Sequence, residues 1–409
     1  MDPQTQFCPN PACRDRGRRG QGNIGIHSQQ EQRYICTTCT RTFAATRGTV
    51  HYRLRTPAEV VTQVLTLLSH GCPPQAIVAA FGLDERTVAA WQHRAGQHCQ
   101  AVHEHLVQAG QVELGHVQAD ELYLKTCRSQ TTGDGVSTSA GHEGASTSEA
   151  STGRVWQAMA MAVPSRLWLG GVISAHRDRA LIRQVAAQIR ACACSLVVLV
   201  CVDGLSSYVT AIGHVFRVPV MTGTVGRPRL VRPEGVLLAQ VLKTYAQRRV
   251  ASVTRRVVFG RLDAVERVLT ATHSGTVINT AYIERLNATF RACTAPLARR
   301  TRALAHQAPT LTAAMYLVGT AYNFCWPHDS LRLQTTGTGR KWVERTPAMA
   351  AGLTDHCWTL HEVLTYQVPP ALWVAPKRRG RPPKSRSEAT DVSNLRGRSP
   401  QHPPHEVAA

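Results

Sequence analysis

The sequence predicts a protein of several modules: a small cysteine-rich segment, an all-α unit, a mixed α/β core and a disordered basic tail. The chain has 409 residues, more than the ~100 to 200 of a typical single domain. Hydrophobic periodicity changes from helical to strand-like near residue 112. The sequence after residue 368 is rich in Pro and charged side chains, which is typical of disorder. We expect the modules to be 1–50, 51–111, 112–330, 331–368, which packs on the core, and 369–409.

The balance of charges favours a polyanionic partner. Lys and Arg number 47 against 26 Asp and Glu, a formal net charge of +21. A field of this sign makes nucleic acid the first candidate partner. The longest strongly apolar run, residues 195–202, is far shorter than the ~20 residues that span a bilayer, so no membrane segment is predicted. The odd count of 13 cysteines and a start without a secretory signal favour a reducing compartment.

The cysteines near the start form two short loops, one with Cys8 and Cys13 and the other with Cys36 and Cys39. Two such loops separated by ~20 residues are typical of a tetrahedral structural zinc site in a ribbon-like module. The segment is too small and too polar to hold a core alone, so the metal would supply its folding energy. The alternative is four free thiols in a loop. We predict structural Zn²⁺.

Residues 56–96 have a helical period with strong start and stop signals. We predict one helix that ends at Gly71, a second at Pro74 to Phe81, and a third capped by Asp84. This is a helix-turn-helix pattern, which places its last helix in the DNA major groove. The alternative is a three-helix packing module without DNA contact. The candidate DNA contacts are Glu85, Arg86, Thr87, Gln92, His93 and Arg94.

From residue 112 the pattern indicates strands and helices of a mixed α/β core. The Ser, Thr and Gly-rich stretch 127–153 is predicted to be a disordered insertion. Asp120 lies on the first predicted strand and Asp203 at the end of a buried one, where a carboxylate without a partner is costly. A metal would be that partner. Successive strand residues point to opposite faces, so only one of Asp120 and Glu121 should face Asp203.

A later helix adds a third acid to this set. Glu284, Asn287 and Arg291 follow the helical spacing and share one face. Three carboxylates suit two Mg²⁺ (or Mn²⁺) ions about 3.5 to 4 Å apart, which promote in-line phosphoryl transfer. Alternatively, the aspartates cap strand ends and Glu284 lies on a solvated helix face. A basic track follows at Arg299, Arg300 and Arg302.

Six motifs carry a resemblance to a known family: QADELY, VCVDGLSSY, NTAYIERLNATFR, RRT, YNFCWPHDSLR and RTPAMAAGLTDHCWTLHEVL. From about residue 7 to 368 the chain resembles a bacterial insertion-sequence transposase of the DDE type. The resemblance implies a ribonuclease H-like catalytic core at 112–330, behind a zinc-binding segment and a helix-turn-helix. It also implies a metal-binding triad at Asp120, Asp203 and Glu284, with Arg291 as the basic residue of the catalytic motif.

The resemblance further implies cleavage and transfer of DNA strands at the ends of an insertion sequence. The partners would be double-stranded DNA, as element ends and as target, and a second copy of the chain, because two ends must meet in one complex. The expected location is the bacterial cytoplasm, associated with the nucleoid. Two features depart from the family pattern: the insertion at 127–153, and a basic segment at 217–276 whose pairing the sequence does not predict.

The tail contains KRRGRPPK at 377–384, which resembles an AT-hook. Arg379 and Arg381 would lie in the narrow minor groove of A·T-rich DNA. The alternative is an unspecific basic tail.

Two other functions remain open from the sequence. One is a domesticated DNA-binding regulator that no longer cuts DNA, against which the intact triad argues. The other is a ribonuclease H-type nuclease that acts on hybrid substrates, which would not need two DNA-binding modules ahead of its core.

Overall fold

The structure is a computed structural model that describes residues 1–127, 152–221, 223, 226–247, 249–298, 308–335 and 341–375. Most of the predicted insertion, the basic track at Arg299, Arg300 and Arg302, and the tail residues Arg379 and Arg381 lie outside the described residues. The described chain forms two compact units, one of residues 1–42 with 369–375 and the other of residues 43–368.

The first unit is built on two short antiparallel strands, β1 (Ile24–Ser28) and β2 (Arg33–Cys36). A third strand, β3 (Thr42–Ala44), follows where this unit ends along the chain. Along β2, Tyr34 and Cys36 are buried and alternate with half-buried neighbours, which is the period of a strand with one inner face. The unit has few buried apolar side chains for its length, which favours stabilisation by a metal.

The second unit begins with three helices, α1 (Ala58–Ser69), α2 (Pro74–Phe81) and α3 (Glu85–Leu106). The predicted bounds of α2 are confirmed, and α1 ends just before Gly71. Gly82 follows α2 with φ of +62°, a left-handed conformation that favours glycine. Asp84 caps α3 through its carboxylate, which accepts a hydrogen bond from the Arg86 backbone at 2.8 Å. Local signals therefore determine these three helices.

A six-stranded sheet forms the centre of the second unit, and its strand order is β11-β10-β7-β4-β5-β6. Strands β4, β5 and β6 are antiparallel neighbours, β7 runs parallel to β4, β10 runs parallel to β7, and β11 returns antiparallel to β10. The prediction of a mixed α/β core is confirmed. The strands are β4 (Gly115–Cys127), β5 (Thr152–Ala162), β6 (Trp168–Ser174), β7 (Val198–Asp203), β10 (Val236–Ala246) and β11 (Arg249–Phe259).

Two short strand pairs lie outside this sheet, β8 (Val218–Val220) with β9 (Arg229–Val231), and β12 (Leu333–Gln334) with β13 (Trp342–Val343). The described part of this unit contains seven further α-helices: α4 (Arg179–Cys192), α5 (Ser206–Val215), α6 (Leu262–Ala271), α7 (Ala281–Cys293), α8 (Ala308–Phe324), α9 (Pro347–Ala350) and α10 (Leu360–Thr365). Among the described residues, no helix combines the length and apolar character needed to cross a membrane.

Helix α8 joins helix α3 to the sheet. Gly96 of α3 packs against α8 so closely that a Cβ there would lie 2.3 Å from the Ala313 Cα. On another side of α8, a Cβ at Gly319 would meet the Trp168 ring at 2.3 Å. Asn323 accepts a hydrogen bond from the Trp168 backbone at 2.8 Å and donates one back at 2.9 Å. Asn323 of the YNFCWPHDSLR motif thus holds the end of α8 against β6.

Candidate metal centres

Four cysteines from two chain segments form one cluster in the first unit. The Sγ atoms of Cys8 and Cys39 lie 3.6 Å apart, and those of Cys13 and Cys36 lie 3.8 Å apart. All four sulfurs lie within 4.8 Å of one another. Ligands at the corners of a tetrahedron with Zn–S bonds of about 2.3 Å are themselves about 3.8 Å apart. The cluster therefore fits a tetrahedral zinc ion, as predicted.

The four thiols differ in proton affinity. Burial raises the pKa of Cys8 and of Cys13. At Cys39 burial acts in the same direction, but hydrogen bonds with Asn10 and with the Arg41 backbone outweigh it and lower the pKa to about 7. Zinc binds thiolates, so loading the cluster would release protons from the buried cysteines.

The second candidate centre lies in the second unit, where β7 ends at Asp203. A cavity of about 680 Å³ is present there. Its lining includes Asp120, Asp203, Glu284 and Arg291, the four residues that the sequence selects. Glu284, Asn287 and Arg291 lie on the face of α7 that lines the cavity. Arg177, Lys243, Tyr245 and Thr280 also line the cavity.

Asp120 is held at the cavity by two hydrogen bonds. Its Oδ2 accepts from Asn287 Nδ2 at 2.8 Å, and its Oδ1 accepts from the Glu121 backbone at 2.8 Å. Burial, with the charges of Glu121, Asp203 and Glu284, raises the pKa of Asp120 to about 7. A cation bound beside these carboxylates would favour the ionised form of Asp120 and lower its pKa again.

Arg177 joins Glu121 to Asp203, which lines the cavity. It donates to Glu121 Oε2 from Nε at 2.9 Å and from Nη2 at 2.6 Å, and Nη2 also lies 3.2 Å from Asp203 Oδ2. The Glu121 side chain is fully buried, and the guanidinium lies over the Trp156 ring. The other oxygen of Asp203, Oδ1, accepts from the Leu205 backbone at 3.0 Å. Asp203 is thus fixed on both sides.

The structure corrects one prediction about this centre. Strand alternation predicts that only one of Asp120 and Glu121 faces Asp203, yet each of the three offers an oxygen within 4.8 Å of the others. β4 pairs with β7 only as far as Gln118 and Cys201. Beyond that point β7 no longer pairs with β4, so this edge of β4 is open and the longer glutamate side chain reaches Asp203. Glu121 belongs to the acidic cluster.

The acidic cluster fits a hard divalent cation. Mg²⁺ prefers oxygen ligands, and three carboxylates meet here. The buried Tyr208 hydroxyl interacts with the Glu121 carboxylate. Burial and the neighbouring charge of Glu121 raise the pKa of Tyr208.

Glu284 lies at the cavity but outside the tight cluster. Among the described residues, the group whose oxygens all lie within 4.8 Å of one another is Asp120, Glu121 and Asp203. Glu284 Oε1 instead accepts from Lys243 Nζ at 2.6 Å and from Thr280 Oγ1 at 3.0 Å. The hydrogen bond to Glu284 raises the pKa of Lys243. The Glu284 carboxylate, the third predicted metal ligand, is therefore paired with the Lys243 ammonium.

Two glutamines that the sequence analysis did not select position the acids. Gln118 is fully buried, and its Oε1 accepts from the Tyr282 and Ile283 backbones at 3.0 Å each, in the first turn of α7. Gln240 donates to the Asp203 carbonyl at 3.1 Å. One amide thus fixes the helix of Glu284 to β4, and the other fixes the end of β7.

Replacing Gln118 by Leu is expected to destabilise the second unit. Two N–H groups at the start of α7 lose their acceptor, which costs about 1 to 3 kcal/mol in the free energy of unfolding. Urea unfolding followed by circular dichroism measures this change. Gln184→Leu, on the exposed face of α4, is the matched control and should change the free energy by less than about 0.5 kcal/mol. Equal effects of the two variants would contradict the positioning role.

The stability of the zinc-loaded protein without other divalent cations is expected to depend on Asp120. The pKa of Asp120 rises from its ordinary 3.8 to about 7 on folding. Between these values the folded chain binds a proton that the unfolded chain does not, so this residue lowers stability as pH rises. Asp120→Asn should therefore gain stability relative to wild type between pH 5 and pH 8. Urea unfolding at both pH values tests this, and a pH-independent difference would contradict it.

The candidate DNA contacts on α3 are not equally accessible. Arg86 and His93 are exposed, whereas Thr87 and Gln92 are half-buried. Arg94 is half-buried and donates from Nη2 to the Tyr52 carbonyl. Arg94 therefore ties α3 to the preceding segment within the second unit.

In comparisons with known proteins, no protein-family model and no curated protein matched this chain. The two centres themselves indicate what the protein can bind. One offers four thiolates in a tetrahedral arrangement, and the other offers carboxylates around a cavity with basic residues at its lining.

Proposed function

We propose that the protein is a DNA transposase of the DDE type, which cleaves DNA strands at the ends of an insertion sequence and joins them to target DNA. One observation carries the proposal: Asp120, Asp203, Glu284 and Arg291, far apart in the sequence, line a single cavity. Carboxylates that bind divalent cations beside a basic residue suit the in-line displacement at a phosphate.

The sheet supports a ribonuclease H-like core. Its mixed arrangement agrees with the core that the sequence resemblance implies. Asp120 and Asp203 come from adjacent parallel strands, and Glu284 comes from a later helix. This is the chain order of the acids in the implied triad.

The other modules support duplex DNA as the substrate. The net charge of +21 favours binding to a polyanion, and the α2–α3 pair has the helix-turn-helix pattern. The zinc-binding segment ahead of these helices would add a second DNA-binding module. Because two element ends and a target take part, the active form would be a homo-oligomer.

The residues of the cavity would hold the reactants in place. When bound, Mg²⁺ or Mn²⁺ would activate the attacking oxygen and stabilise the leaving one. Asp120 and Asp203 would hold the ions, and Asn287 and the Leu205 backbone would keep these carboxylates oriented. Arg291 would contact a phosphate. Water would attack in the first step, and the freed 3′ hydroxyl would attack target DNA in the second.

Purified full-length protein with labelled end DNA tests the proposal. Candidate ends are the inverted repeats that flank the coding sequence. With Mg²⁺, we expect a cut that leaves a 3′ hydroxyl, followed by joining to added target DNA. Bound but uncut DNA would favour a domesticated regulator instead. Cleavage of the RNA strand of a hybrid, with duplex DNA left intact, would favour a nuclease of the ribonuclease H type.

A further inference from the structure

Strands β10 and β11 continue beyond the sheet as a two-stranded ribbon, residues 242–246 and 249–254, next to the acidic cavity. The pairing of β10 with β7 ends where Val241 meets Asp203, the last residue of β7. Residues 242–246 continue to pair with β11. The segment 236–259 contains basic residues but no Asp or Glu. The ribbon thus brings positive charge to the edge of the acidic centre.

Lys243 is the basic residue of this ribbon that lines the cavity. The lining contains Lys243 together with Val241, Leu242 and Tyr245 of the same strand. The Nζ of Lys243 lies 2.6 Å from Glu284 Oε1. The side chain of Lys243 is 33% exposed and that of Glu284 is 48% exposed, so solvent and ions have access to both groups.

In this ion pair, the Lys243 ammonium competes with a divalent cation for the Glu284 carboxylate. While Lys243 holds the carboxylate, Glu284 lies outside the cluster of Asp120, Glu121 and Asp203. Partly exposed ion pairs contribute little to stability, so a divalent cation beside several carboxylates can displace the ammonium. Lysine has a flexible four-carbon stem and three rotatable donors, so a displaced ammonium can bind another anion nearby.

We propose that Lys243 is an exchangeable counter-ion: it occupies Glu284 in the metal-free protein and binds a DNA backbone phosphate once a divalent cation takes that carboxylate. The second half of this inference rests on the proposed function, because it takes DNA as the phosphate source. Metal and DNA then raise each other's affinity, since both favour the released lysine.

The salt dependence of DNA binding tests the exchange. Full-length zinc-loaded protein is titrated with random-sequence duplex DNA at several salt concentrations, with and without Ca²⁺, which occupies oxygen sites and does not support cleavage. Without Ca²⁺, Lys243→Met should keep the wild-type slope of log Kobs against log[salt], because Glu284 already holds the lysine. With Ca²⁺, the slope for Lys243→Met should be less steep than the wild-type slope by about 1, the value for one lost phosphate contact.

Arg249→Met is the matched control, because Arg249 is an exposed cation of the same ribbon that does not line the cavity. Any change in its slope should be the same with and without Ca²⁺. An equal change for Lys243→Met under the two conditions would overturn the exchange.

A second measurement needs no DNA. Calorimetric titration with Mn²⁺ should show several-fold tighter binding to Lys243→Met than to wild type, because the competing cation is gone, and no change for Arg249→Met. Unchanged or weaker Mn²⁺ binding by Lys243→Met would overturn the inference. Failure of the proposed function is a separate result: wild-type protein that binds Mn²⁺ but does not cleave end DNA with Mg²⁺. Thermal unfolding of each variant confirms that it is folded.

Discussion

Replacing Asp203 by Asn is expected to abolish DNA strand cleavage while leaving DNA binding intact. The amide keeps the size of the side chain, and its oxygen can still accept from the Leu205 backbone, but the charge that binds a cation is lost. Loss of a single group that stabilises charge in a transition state costs about 10²- to 10³-fold in rate. The cost here is at least that large, because the metal that activates the nucleophile is weakened as well.

The rate of cleavage of labelled end DNA with Mg²⁺ measures the first effect, and fluorescence titration with Ca²⁺ measures DNA binding. Asp263→Asn is the matched control, because Asp263 is an exposed carboxylate that pairs with Arg261 at 3.0 Å and does not line the cavity. Its cleavage rate should equal that of wild type. An Asp203→Asn protein that cleaves within tenfold of wild type would remove the acidic cavity from the mechanism.

The bounds of helices α2 and α3 could be predicted because the signals that set them are local. Pro74 lies in the first turn of α2, Gly82 provides the left-handed turn after it, and Asp84 caps α3. Each signal acts within a few residues, so no knowledge of the tertiary fold is needed. The spacing of the cysteines is also a local pattern, and it was enough to predict that four thiols come together.

The residues that organise the acidic cavity gave no such signal. Gln118 meets the Tyr282 backbone across 164 positions, and Arg177 meets Glu121 across 56. A single glutamine or arginine in a strand or loop has no periodic pattern that reveals its partner. The prediction that only one of Asp120 and Glu121 faces Asp203 was wrong, because β7 stops pairing with β4 at Gln118 and the longer glutamate side chain reaches Asp203 at this open edge.

The strand pairing of the basic segment 217–276 could not be predicted for a related reason. Strand β10 is buried throughout its first six residues and exposed from Lys243 onward. A strand that is buried on both faces at one end and solvated at the other has no single period, so neither a strand nor a helix pattern emerges. The Lys243–Glu284 pair depends on this strand and could not be predicted from the sequence.

Removal of zinc is expected to unfold the first unit. Binding of structural zinc supplies an apparent free energy of about 10 to 16 kcal/mol in small modules, which exceeds what the few buried side chains here can provide. Cys36→Ser removes one of the four ligands and should lose the ion. Metal analysis should find one zinc per wild-type chain and much less in the variant, and limited proteolysis should cut the variant within residues 1–42.

Cys194→Ser is the matched control. Cys194 is an exposed cysteine that donates a hydrogen bond to Glu113 and lies outside the thiol cluster. It should keep its zinc and its resistance to protease. The second unit has its own hydrophobic core, so its thermal transition should persist in Cys36→Ser. Loss of protection confined to residues 1–42 is the pattern that a structural metal produces. A Cys36→Ser protein that resists protease throughout 1–42 would show that packing alone, without a metal, holds the four thiols together.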